Sequence, residues 1–176
     1  MDRLGFLGFT RAMTTSPYLV AATAAAISSA AVGGLFYAFS TFVMRGLDRA
    51  LPVEAIAAMK GLNAEAQANG PFLALFLGSA VLALVVGVIA GIQFARPGSG
   101  LVIGGAVLAV LAVVVTMTVN VPLNDALDAL DPGSMSAPDA LRQWRAYLVP
   151  WTAWNHVRTV APLLGSVLIL VGLRNR

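Results

Sequence analysis

Four apolar stretches, 18–44, 72–95, 101–119 and 151–173, divide the chain, and only the last contains a formal charge, at Arg158. A helix rises about 1.5 Å per residue and a bilayer's hydrocarbon core is about 30 Å thick, so about 20 apolar residues cross it. Backbone N–H and C=O groups find no water at that depth, which leaves the helix as the economical way for such a run to span. The pattern predicts an all-α polytopic membrane protein: four transmembrane helices in an antiparallel bundle, one domain over 1–176. Arg3 and Arg11 ahead of an Ala-rich run resemble the start of a signal peptide. The apolar part is too long for one and runs on through Phe36, Tyr37, Phe39 and Phe42, so it reads as a retained first span.

The connections are unequal. Arg96-Pro97-Gly98-Ser99-Gly100 is a tight turn between the second and third spans. The stretch 45–71 carries a helix expected over 53–68, with Pro52 at its start and Asn69-Gly70-Pro71 at its end. Pro122 is expected to end or kink the third span, and Asn124 before Asp125 reads as the N-cap of a short loop helix. Asp131-Pro132-Gly133-Ser134 is a turn, and a second short helix is expected over 138–148. Both long connections leave on one side of the bilayer.

Polar residues gather at that mouth. Trp151, Trp154, Asn155, Arg158 and Pro162 fall at i, i+3, i+4, i+7 and i+11, one stripe of the fourth helix. A guanidinium one to two turns inside a span is costly against lipid and turns toward protein or water. The bland alternative is snorkelling of Arg158 with the tryptophans as an interfacial belt. His156 lies about 160° around the helix from Arg158, which suits a bond between helices better than a shared cavity. On the third span Thr116 and Asn120 share a face. Lys60, Asn63 and Gln67 form a polar stripe on the first connecting helix, placed to fold over the mouth. On the first span Gly33, Tyr37, Ser40, Thr41 and Met44 share a face, with Tyr37 a further donor there.

Composition narrows the chemistry. The 176 residues are 59% hydrophobic and 11% charged, with a mean hydropathy of +0.83, where soluble domains are about 25% charged. There is no cysteine, which removes disulfides, thiolate metal sites and cysteine nucleophiles. A lone His with no acid inside any span leaves no transition-metal site. The net charge of +3 is spread over ends and loops, with no basic run suited to nucleic acid. The expected partners are the bilayer and a small lipophilic ligand; nothing in the pattern specifies an oligomer. Arg3, Arg11, Arg96, Arg174 and Arg176 in short segments favour cytoplasmic termini in a cell-membrane protein.

The segments F-Y-A-F-S-T-F-V-M (36–44), Asn63 in the first connecting helix, N-V-P-L-N-D-A-L (120–127) and W-T-A-W-N-H-V-R-T-V (151–160) together resemble the anthrone oxygenase-like membrane family. The resemblance covers about 31–170. It implies a four-span bundle and oxidation of an anthrone by O₂ without a cofactor. The implied site is Asn63, Asn120, Asn124, Trp154, Asn155 and Arg158. Asn120, Asn155 and Arg158 would stabilise an oxyanion, with Asn63, Asn124, Trp154 and Tyr37 binding substrate. Proton acceptors are fewer: Asp125 would have to reach in from the loop, and His156 faces elsewhere. The competing readings are a module that binds a lipophilic or anionic ligand without catalysis, and a structural membrane protein whose amides join helices. An Arg158 without a carboxylate partner favours ligand binding, whereas pairing with Asp125 or Asp128 favours the structural reading.

Overall fold

The computed structural model describes residues 16–176; Arg3 and Arg11 lie outside them. Four helices are long and apolar enough to cross a membrane: α1 (Pro17–Leu47), α3 (Gly70–Ile92), α4 (Ser99–Asp128) and α5 (Ala137–Arg174). Between the first two lies α2 (Pro52–Ala68), with Pro52 in its first turn. The protein is an all-α, multi-pass bundle, and among the described residues there is no strand. The chain leaves α1, α3, α4 and α5 on alternating sides. The α1–α3 and α4–α5 connections share one side, and the short turn after Ile92 lies on the other with the end of α5.

Away from the mouth the helices close on small residues. A Cβ on Gly165 would stand 2.7 Å from the Gly105 carbonyl oxygen, and one on Gly105 2.5 Å from that of Gly165, so the α4 and α5 backbones touch there. Gly98 begins the turn into α4 at φ 79°, a left-handed conformation that favours glycine. Ala22, Ala25, Ala26, Val86, Ala90, Val102 and Ile169 fill this end.

The mouth has a second core of different make-up. Met44, Ile56, Met59, Leu127, Trp144, Tyr147 and Trp151 are buried together, joining α2 to the ends of α1, α4 and α5. The Trp144 indole N–H donates to Asp48 Oδ1 at 2.9 Å. Lys60 closes the α4 end by donating to the carbonyls of Asp128 at 2.8 Å and Leu130 at 2.6 Å.

Three sequence expectations change here. The separate helix at 138–148 and the span at 151–173 are one uninterrupted rod, α5, which passes through Pro150 and Pro162. Its buried positions Ala140, Trp144, Tyr147, Trp151, Asn155, Arg158, Pro162, Gly165 and Ile169 step by three or four throughout, so packing holds the helix across the missing donors. At 38 residues the rod is about 57 Å long, well beyond the hydrocarbon thickness. The third span likewise continues past Pro122 to Asp128, and Asn124 sits inside the helix rather than capping it. A wide π turn, Thr116–Asn120, precedes the proline, and the Val121 N–H reaches back to the Thr116 carbonyl. This turn loosens the backbone where the proline ring would otherwise clash. A second wide turn, Phe39–Val43, interrupts α1.

Candidate functional site

Below the mouth, α1, α3, α4 and α5 separate around a cavity of about 510 Å³, roofed by α2. Phe36 and Phe39 from α1, Phe72 and Phe76 from α3, and Trp151 from α5 give it aromatic walls. Phe72 and Phe76 stack with centroids 5.7 Å apart, and Phe76 meets Phe36 edge to face at 5.8 Å. Asn63, Glu65 and Gln67 from α2, Thr116 and Asn124 from α4, and Arg158 from α5 supply polar groups. Apolar walls with a few convergent polar groups are the make-up of a small-molecule site.

Arg158 is 4% exposed. Its Nη2 donates to Asn155 Oδ1 at 2.8 Å, Nη1 lies 3.5 Å from Thr116 Oγ1, and Nε has no partner among the described residues. The guanidinium lies over the rings of Phe36 at 4.4 Å and Trp151 at 4.8 Å. Among the described residues the salt bridges are Lys60–Asp128 and Arg142–Asp139, so Arg158 is held with no carboxylate. A buried cation of this kind costs free energy that only a suitable partner offsets.

Behind it lies a closed network. Asn155 Nδ2 donates at 2.8 Å both to the Phe36 carbonyl and to Ser40 Oγ. Ser40 in turn shares a 3.0 Å bond with Thr159, whose hydroxyl donates to the Asn155 carbonyl at 2.9 Å. Both amide protons are thereby used, and the Asn155 oxygen is left to face Arg158. The network sits at the wide turn of α1 that contains Ser40.

The asparagines of α4 both serve Trp151. Asn120 Nδ2 donates to its carbonyl at 3.2 Å, and Asn124 Oδ1 accepts from its indole N–H at 2.8 Å and from the Tyr147 hydroxyl at 2.9 Å. Asn120 is fully buried, with Oδ1 unpartnered among the described residues. On α2, the Asn63 amide nitrogen lies near the Tyr147 hydroxyl yet completes no hydrogen bond.

Of the residues singled out from sequence, Asn63, Asn124 and Arg158 border the cavity, while Asn120 and Asn155 stand behind it and hold its walls. The others lie elsewhere. Trp154, at 43% exposure, sits at the edge of the α5 stripe and faces outward, and the buried Trp151 takes the ring position expected of it. Tyr37 is 55% exposed, because the buried face of α1 runs through Gly33, Phe36, Ser40 and Met44. Asp125 is exposed on α4, outside the cavity lining. His156 lines a separate cleft of about 390 Å³ with Ser40, Arg45, Asp48 and Thr152.

Sequence reasoning missed the four phenylalanines, Glu65 and the role of Trp151. The signal was present: Trp144, Tyr147 and Trp151 continue the phase of Asn155 and Arg158 back across Pro150. Among the described residues, no three His, Cys, Asp or Glu side chains converge as a metal site would require.

A sequence model of the anthrone oxygenase family matches residues 59–168. That stretch includes every polar residue on the cavity wall, while Phe36, Phe39 and the Ser40 network of α1 lie before it. Comparison with curated proteins and with solved structures finds no match.

Proposed function

Because the chain belongs to the anthrone oxygenase family, we propose that the cavity binds a lipophilic, enolisable aromatic and promotes its oxidation by O₂ without a cofactor. The observation that carries this reading is Arg158: a buried guanidinium, unpaired with carboxylate among the described residues, keeps Nε unmet on an aromatic wall. Such a donor suits an oxygen that becomes negative as a flat ring system ionises, and a dry cavity strengthens that interaction. Phe36, Phe76 and Trp151 offer ring faces and edges.

The reaction balances without a further reagent. Loss of a proton from the methylene of an anthrone gives an enolate. One electron passes to O₂, the carbon radical and superoxide combine, and a C–O bond forms. The resulting hydroperoxide loses the remaining methylene proton and breaks its O–O bond, giving the ring carbonyl and water. The proton acceptor in this reading is Glu65, the carboxylate on the cavity wall, in place of Asp125 and His156, which lie outside it. The protein belongs in a cell membrane, with its termini on the cytoplasmic side and the cavity mouth opposite.

The test is oxygen consumption by the purified protein in detergent with an emodin-anthrone-like substrate. Arg158→Ala should lower turnover about 100-fold or more, and Glu65→Gln should lower it as well. A folded wild type that does not exceed the spontaneous rate would defeat the reading and leave the cavity as a site for ligand binding alone.

A further inference from the structure

The rim of the cavity is divided by chemistry. Glu65, Gln67 and Asn69 edge it beneath α2, whereas Leu77 of α3 and Met117 of α4 edge it on the surface that faces the bilayer. Leu77 is 42% exposed and Met117 52%, although both also line the cavity. At these two side chains the wall between the cavity and the outer surface is a single residue thick.

The helices separate at this level. Through Ser99–Val115, α4 packs closely on α3, with Gly87 against the methyl of Ala106 and with Ala83 and Ala109 alongside. From Thr116 onward α4 makes little contact with α3. The divergence begins at the wide turn Thr116–Asn120, which contains Met117. The hydroxyls of Thr116 and Thr118 donate to the carbonyls of Ala112 at 2.7 Å and Val114 at 2.8 Å, so both hydroxyls are satisfied within the helix.

We infer that the gap between α3 and α4, edged by Leu77 and Met117, is a lateral portal through which a flat, lipophilic molecule dissolved in the bilayer enters the cavity. This inference deepens the proposed function, since it states the phase from which the substrate comes. A molecule arriving this way slides its ring body past the two apolar side chains toward Phe72 and Phe76. Its polar edge stays nearest the mouth, where Asn63 and Arg158 stand.

The experiment uses fluorescence rather than turnover, so its failure is separable from failure of the oxygenase reading. Trp154 faces outward and is removed as Trp154→Phe, and Trp144, which shares the mouth core with Trp151, is removed as Trp144→Phe, which leaves Trp151 as the reporter. The protein is placed in vesicles of phospholipid carrying bromine atoms on the acyl chains, which quench only at close range. Trp151 should be quenched, and Leu77→Phe and Met117→Phe, made singly and together on this single-tryptophan background, should reduce the quenching at least twofold. Leu84→Phe, an exposed position on α3 away from the cavity lining, should leave it unchanged. Quenching of Trp151 by aqueous acrylamide but not by bromolipid, or bromolipid quenching indifferent to both substitutions, would overturn the portal.

Discussion

Lys60 on α2 donates to the carbonyl oxygen of Leu130 at 2.6 Å, which pins the roof of the cavity to the chain leaving α4. The same ammonium reaches the Asp128 carbonyl at 2.8 Å. Its contact with the Asp128 carboxylate, at 3.9 Å to a largely exposed group, adds little. The useful part of the interaction is therefore carbonyl capping of a helix end, which charge pairing alone would not provide. Lys60→Met keeps the apolar stem and removes the donors. We expect local opening of α2 to become easier by about 1–2 kcal/mol, read as a roughly 5- to 30-fold loss of hydrogen-exchange protection confined to α2. Unchanged protection would show that the apolar contacts of Ile56 and Met59 hold the roof unaided.

The two tryptophans of the W-T-A-W segment should behave in opposite ways. Trp151→Phe removes the indole N–H that Asn124 accepts and should cost about 1–2 kcal/mol, with loss of any ligand-dependent change in fluorescence. Trp154→Phe alters an outward ring and should stay within about 0.5 kcal/mol. Thermal unfolding in one detergent, with both variants side by side, decides this. A larger cost at Trp154 would mean that the α5 stripe has been placed on the wrong face.

Closeness of α4 and α5 gives a third expectation. Gly165→Ala would set a methyl 2.7 Å from the Gly105 oxygen and 3.2 Å from the Ala109 nitrogen, so the helices must move apart, at about 1–3 kcal/mol. Gly104→Ala meets nothing nearer than Leu168 Cδ1 at 3.8 Å and should be neutral or stabilising by about 0.5–1 kcal/mol. Unfolding midpoints of the two variants should therefore shift in opposite directions, or at least differ by several degrees.

Much of the architecture is legible in the chain because the bilayer imposes one strict rule, an uninterrupted apolar run for each crossing. The ends of α2 are legible for a local reason: Pro52 opens it, and the Asn69 side chain accepts from the Phe72 N–H to begin α3. Pro122 and Pro150 misled because proline removes a local bond, whereas the helix at each is held by distant contacts: Asn124 to Trp151, and Trp144 to Asp48. The wide turns carry no sequence pattern of their own. With one of them in α1, the buried face passes to Ser40 and leaves Tyr37 outside. Asn155 and Arg158 were legible as a pair because their spacing puts both on one face. That Asn155 orients the cation from behind depends on Phe36 and Ser40, 119 and 115 positions away.

The long α5 rod has a mechanical consequence. One unbroken helix carries both the aromatic ladder of the mouth core, Trp144 and Tyr147, and the buried guanidinium of Arg158 further along it. No hinge separates the two, so a force or a partner acting on the outer end would be felt as a tilt or rotation at membrane depth. The core under the roof and the charged wall of the cavity share one lever.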